Sequence, residues 1–305
     1  MWKVRRLVME FTNKTYDEER ALYGINGAHI ADCSFDGPAD GESALKETSD
    51  ITVERCYFNL RYPFWHTRGA VIRDITMTEG CRAALWYDED ITMEKCRMNG
   101  IKALRECHGK LSLNECDIHS PEFAWRCSDL RIKDCSLESE YPFFECRDME
   151  INNLTMTGKY SFQYVENAII RNSDLNTKDA FWHSKNVTVE DCVVRGEYLG
   201  WYSENLKLVR CKIIGTQPLC YCKGLVLEDC TMEQTDLSFE NSEVRATVCG
   251  SIDSVKNPLC GEIHADEIGE LILETDRIDP ARTKIICRQD KDRCRSAAKE
   301  MCVCA

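Results

Sequence analysis

Three columns of residues, recurring about once every 20 positions, carry whatever chemistry this chain has. The first reads Lys46, Trp65, Trp86, Arg105, Trp125, Phe144, Gln163, Trp182, Trp201, Cys220 and Phe239. The position after it reads Glu47, His66, Tyr87, Glu106, Arg126, Glu145, Tyr164, His183, Tyr202, Tyr221 and Glu240. Three positions before the tryptophan column lies another: Ser43, Tyr62, Ala83, Lys102, Glu122, Tyr141, Tyr160, Asp179, Tyr198, Gln217 and Asp236. Five of the six tryptophans sit in one column, and eight of the eleven tyrosines in the other two. Rings edged by carboxylates, histidine and phenol suit stacking on sugar rings with a few polar contacts.

On that basis Glu106, Glu145, Asp179 and His183 are the candidates for proton transfer. Trp65, His66, Trp86, Tyr87, Arg105, Trp125, Arg126, Tyr160, Tyr164, Trp182, Trp201 and Tyr202 are the candidates for ligand contact. Glu106 and Glu145 stand two repeats apart, about 9.6 Å between backbones, near the upper end of the spacing inverting glycosidases use. Arg126 between them suits anion recognition better than general acid catalysis. A salt-bridge ladder across stacked strands is the plainer alternative. His66 and His183 hold equivalent positions six coils apart and cannot share a metal. No nucleotide loop, HExxH or nucleophile elbow occurs, so neither metal nor cofactor is expected.

Such columns need strands stacked in register. Val187, Leu206, Leu225 and Val244 fall 19 residues apart, as do Cys192, Cys211, Cys230 and Cys249. A cysteine column runs Cys33, Cys56, Ile75, Cys96, Cys116, Cys135, Leu154, Ser173, Cys192, Cys211, Cys230 and Cys249, followed two residues later by an apolar one. Spacings of two mean strands with one buried face. The three-residue step into the cysteine breaks the alternation and predicts a bend, and Gly100, Gly158, Gly196 and Gly215 mark the next corner. A fixed period with three short strands predicts an all-β fold, a right-handed single-stranded parallel β-helix of about twelve coils of 19–21 residues with capped ends. Residues 1–27 read as an N-terminal cap and partial coil, 28–276 as the β-helix with a C-terminal cap, and 277–305 as a basic tail, helical or disordered. Cys287, Cys294, Cys302 and Cys304 in that tail lack the usual spacing of a zinc site.

Two arrangements of the third strand stay open. In one, Leu104, Ala124, Phe143, Phe162, Phe181 and Leu219 point inward and the tryptophans floor an outer trough. In the other, the small residues Pro63, Ala84, Pro142, Ala180 and Pro218 interlock inside with the tryptophans. Lys46, Arg105 and Gln163 oppose the second, because buried charge needs partners.

The net charge of −13 argues against nucleic acid and anionic membranes as partners. Twenty cysteines, many at one repeat position, read as small buried hydrophobes rather than disulfides. The opening residues carry no signal peptide pattern, so a reducing cytoplasm is the expected location.

The strings Gly37-Pro38-Ala39-Asp40-Gly41, Phe58-Asn59-Leu60-Arg61-Tyr62-Pro63-Phe64-Trp65-His66, Cys81-Arg82-Ala83-Ala84-Leu85-Trp86-Tyr87, Lys178-Asp179-Ala180-Phe181-Trp182-His183 and Gly215-Thr216-Gln217-Pro218-Leu219-Cys220-Tyr221 resemble a bacterial domain-of-unknown-function family of β-helix proteins. The resemblance covers about residues 12–275 and implies a pectate-lyase-like fold, with no activity to carry over. Two functions follow as expectations. One is binding of a carbohydrate along the aromatic side, with or without cleavage. The other is a non-enzymatic scaffold that associates with protein, itself included, through that side.

Overall fold

The computed structural model describes residues 8–288. The fold is an all-β parallel solenoid of about 15 turns with almost no helix, against the roughly twelve coils expected. The chain divides into two compact units, Met1–Gly158 and Lys159–Ala305. The extra turns lie at the two ends of the sequence. Met9–Thr12 pairs with Ala28–Ala31 and Thr15–Tyr16 with Ser34–Phe35, so regular stacking starts inside the stretch expected as a cap. Cys260–Ala265 pairs with Thr283–Cys287, which carries paired strand past residue 276 and makes Cys287 part of it. Cys294, Cys302 and Cys304 lie outside the described residues.

Within the first unit, Val53, Ile72, Met93, Leu113, Ile132 and Ile151 are in register on the first side. Phe58, Met77, Met98, Ile118, Leu137 and Met156 are in register on the second. The second unit repeats this with Ile170, Val189, Leu208 and Leu227, then Leu175, Val194, Ile213 and Met232. All are buried, so each turn adds apolar residues to the column on each face of its unit. Parallel pairing places like over like because every turn repeats the same hydrogen-bond register.

The expected bend is a single left-handed residue: Asp32, Arg55, Asp74, Lys95, Glu115 and Asp134 in the first unit, Asn172, Asp191, Arg210 and Asp229 in the second, each with φ between 49° and 56°. That conformation costs a non-glycine residue about 1–2 kcal/mol. The cysteine that follows ties the corner down. The Cys192 thiol donates to the Glu190 carbonyl at 3.1 Å, and its sulfur accepts the Ser173 N–H at 3.3 Å. Cys135 does the same with the Lys133 carbonyl and the Cys116 N–H. Ser173, in a cysteine's place, donates to the Arg171 carbonyl at 2.7 Å. The column is therefore buried as expected, but its sulfurs also bond the backbone. Burial pushes the Cys56 thiol up to about 11 and Cys81 up to about 12, so both stay protonated and unreactive at neutral pH. Cys249 departs from the column. A register shift pairs Cys230 with Val248 instead and leaves Cys249 exposed.

A substitution separates the two roles of sulfur. Cys192→Ser keeps both bonds and is expected to cost within about 1 kcal/mol, whereas Cys192→Val keeps burial but removes the sulfur that bonds the Ser173 N–H and the Glu190 carbonyl, at about 1–3 kcal/mol. Denaturant midpoints of the two variants measure the order; serine falling below valine would mean that burial alone matters.

Candidate functional site

The third side is built on an inward layer. Phe64, Leu85 and Leu104 are in register and fully buried in the first unit, as is Phe143. In the second unit Phe162 and Phe181 stack at 4.8 Å with no exposure. The small residues before them, Pro63, Ala84, Pro142, Ala180 and Pro218, are buried too. Both columns therefore fill the interior, and the tryptophans that follow lie half-buried on top. Cys220 and Phe239, expected in the same outward column, are wholly buried, so in the second unit that column ends at Trp201.

One residue further on, the backbone turns left-handed again: His66, Tyr87, Glu106, Arg126 and Glu145 in the first unit, Tyr164, His183, Tyr202 and Tyr221 in the second, with φ of 53–60°. That corner leaves Tyr87, Tyr164 and Tyr202 among the exposed large hydrophobic side chains, at 44–47%. In the second unit Tyr164, His183, Tyr202 and Tyr221 form one file, with centroids 5.0, 5.1 and 4.9 Å apart and planes within 16°. Trp182 and Trp201 stack beside it at 5.6 Å and 5°. In the first unit Trp65 stacks on Trp86 at 5.6 Å and His66 on Tyr87 at 5.2 Å.

Ring faces are thus spent on neighbouring turns, and ring edges look outward. Lys46 sits 4.1 Å over the Trp65 ring and Arg105 4.8 Å over Trp125, whose neighbour Phe144 is 5.1 Å away. Three indole N–H groups are also committed: Trp125 donates to the Tyr141 carbonyl at 2.7 Å, and Trp182 and Trp201 to those of Tyr198 and Gln217 at 2.8 Å.

The structure brings Glu106, Arg126 and Glu145 together. Arg126 Nε donates to Glu145 at 2.7 Å and Nη1 to Glu106 at 3.1 Å, and both carboxylates raise the Arg126 pKa. Bracketed by two acceptors, Arg126 offers little to an anionic ligand. Arg105 and Lys102 share Glu122 at 3.1 and 3.6 Å. In the second unit Asp179 is 6% exposed, and burial pushes its carboxyl pKa up, partly opposed by Lys178. It lies one turn from Tyr160 and one from Tyr198 in its column. Lys178 pairs with Glu197 at 3.1 Å and lies 5.6 Å over Tyr198. Among the described residues, no group of three or more His, Cys, Asp or Glu could hold a metal. Likewise no helix there is long and apolar enough to cross a membrane.

Sequence reasoning passed over Asp88. It occupies an interior column with Thr48, Thr67, Cys107, Cys127 and Cys146, all buried. Its Oδ1 accepts the Thr67 N–H at 2.8 Å, while Oδ2 is buried without a partner. Burial drives its pKa well up. The signal was available: one carboxylate in a file of hydroxyls and thiols.

A family model described as "Protein of unknown function (DUF3737)" matches residues 9–286. No curated protein matches the chain. Among solved structures it is similar to the A-module of the mannuronan C-5 epimerase AlgE4 of Azotobacter vinelandii, at 11% identity and TM-score 0.29 over 91% of this chain and 86% of that one. It is also similar to the surface adhesin PfbA of Streptococcus pneumoniae, at 10% identity and TM-score 0.29 over 83% and 71%. The tailspike gp49 of Pseudomonas phage LKA1 matches at 10% identity and TM-score 0.29 over 89% and 46%.

Proposed function

This chain belongs to that family, which brings no activity with it, and from the third side alone we propose that it binds a glycan without cleaving it. The observation that carries this is the file Tyr164, His183, Tyr202 and Tyr221, exposed except at the half-buried Tyr221, beside Trp182 and Trp201. Each turn presents a similar edge, a ring with a phenol or imidazole at its tip, so the surface repeats at strand spacing along its length. A linear polymer of like units is the ligand whose form matches such a surface. Exposed aromatic rows of this kind are uncommon unless something covers them. Binding rather than cleavage follows from the carboxylates: Glu106 and Glu145 both spend oxygens on Arg126.

Tryptophan fluorescence titrated with oligosaccharides tests the proposal. A saturable shift in wild type that is lost in Trp182→Ala is the expected result. Self-association by light scattering, with no response to any saccharide, would move the assignment to a protein-binding scaffold.

A further inference from the structure

The first unit holds a feature that the second lacks. Trp125, Trp182 and Trp201 each give their indole N–H to the carbonyl of the residue that opens the third side one turn on. Trp65 and Trp86 do not: both Nε1 atoms are buried and neither has an acceptor. Orphaning a buried donor costs about 1–3 kcal/mol, and such groups in native proteins call for a partner. Here two lie on adjacent stacked rings, with centroids 5.6 Å apart. One ring flanks both. Tyr62, half-exposed, has its centroid 6.0 Å from Trp65 and 6.2 Å from Trp86, tilted at 56° and 49°.

The surroundings limit the occupant. In the third-side columns of this unit, Lys46 is 4.0 Å from Glu47, Lys102 and Arg105 share Glu122, and Arg126 joins Glu106 and Glu145. Every cation there has a carboxylate, and the four of each sign cancel. The chain as a whole carries −13, which repels a polyanion.

We infer that Trp65 and Trp86 form a subsite for an uncharged, oxygen-rich unit, a neutral sugar residue, with Tyr62 as a side chain that moves aside to admit it. The two indole N–H groups donate to hydroxyl or ring oxygens of that unit. No covalent step is involved. The inference rests on the glycan-binding assignment and adds a subsite within the first unit and a charge class.

Indole N–H resonances of the full chain, labelled with nitrogen-15 and assigned by single Trp→Phe variants, test it with neutral and with uronic-acid oligosaccharides as probes. The expected result is a downfield shift of the Trp65 and Trp86 signals with the neutral probe, while the already bonded Trp125, Trp182 and Trp201 move less. Trp65→Phe keeps the ring stack but removes one donor, and is expected to weaken neutral-probe binding about tenfold. Tyr62→Ala should speed solvent exchange of both orphan protons in the free protein. A neutral probe that moves only the other three tryptophans overturns the subsite and leaves the glycan assignment standing. Binding of the acidic probe alone overturns the charge class. No response to either probe sinks the assignment together with the inference built on it.

Discussion

Gly196→Ala is expected to destabilise the second unit more than any other single methyl added to it, by upwards of about 4 kcal/mol, at the exceptional end for point substitutions. Gly196 closes the corner after the second side with φ of +140°, and a Cβ there would stand 1.4 Å from the Thr177 carbonyl oxygen of the preceding turn. Neither partner can retreat. The Gly196 N–H bonds the Ile214 carbonyl of the following turn, and the Thr177 N–H bonds the Arg195 carbonyl, so both backbones are pinned by the ladder. Gly250 supplies the control, since it too has positive φ (+98°) but nothing within 4 Å of where a Cβ would stand. Gly250→Ala should therefore cost only the conformational penalty, about 1–3 kcal/mol. The denaturant midpoints of the two variants measure the difference. If they fall together, the close approach of turns at Gly196 is not what that glycine serves.

The second large effect is a gain. Asp88→Asn should stabilise the first unit at neutral pH, because an uncharged amide replaces a carboxyl that burial holds far above its ordinary pKa. Oδ1 keeps the Thr67 N–H in either residue. The sign of the pH dependence follows from linkage. A carboxyl whose folded pKa exceeds its unfolded one is most favourable below the unfolded value, near 3.9 for aspartate, and loses stability as pH climbs toward the folded value. Each pH unit through that window costs about 1.4 kcal/mol. Wild type should therefore weaken from acid toward neutral pH relative to Asp88→Asn, and the two unfolding curves should converge near pH 4. A gap of constant size across pH would show that Asp88 does not titrate in that range.

The proposed glycan site makes a subtler prediction. Tyr202 stacks between His183 and Tyr221, so Tyr202→Ala cuts the file while leaving the buried layer under it intact. Saccharide affinity should drop severalfold with the unfolding midpoint little changed; equal losses of both would reduce the file to a structural ladder.

Much of the architecture was legible because a solenoid writes its register into the sequence. Val187, Leu206 and Leu225 recur at the period of the turn, and their strands pair at that register. The ends were less legible. Met9–Thr12 and Thr283–Cys287 join the stack with little of the repeat's signature; among the described residues each pairs on one side only, where the pattern can relax. Cys249 kept the spacing but lost the position, because a register shift moved Val248 into the interior and periodicity cannot see a bulge. The columns of the third side were readable as columns. What they do was not, because alternation of burial is silent about the plane of a ring. Only the folded chain distinguishes tryptophans that offer faces from tryptophans stacked edge-outward, with indole N–H groups taken by Tyr141, Tyr198 and Gln217 carbonyls. Likewise the spacing of Glu106 and Glu145 was evident, but their joint hold on Arg126 depends on rotamers that no spacing encodes.

Calorimetric titration with neutral oligosaccharides of increasing length tests the central claim most directly. A repeating surface that binds a repeating ligand predicts affinity that rises with each added sugar until the file is covered, and a flattened dependence in Trp182→Ala. Affinity independent of length, or heat absent at every length, would contradict it.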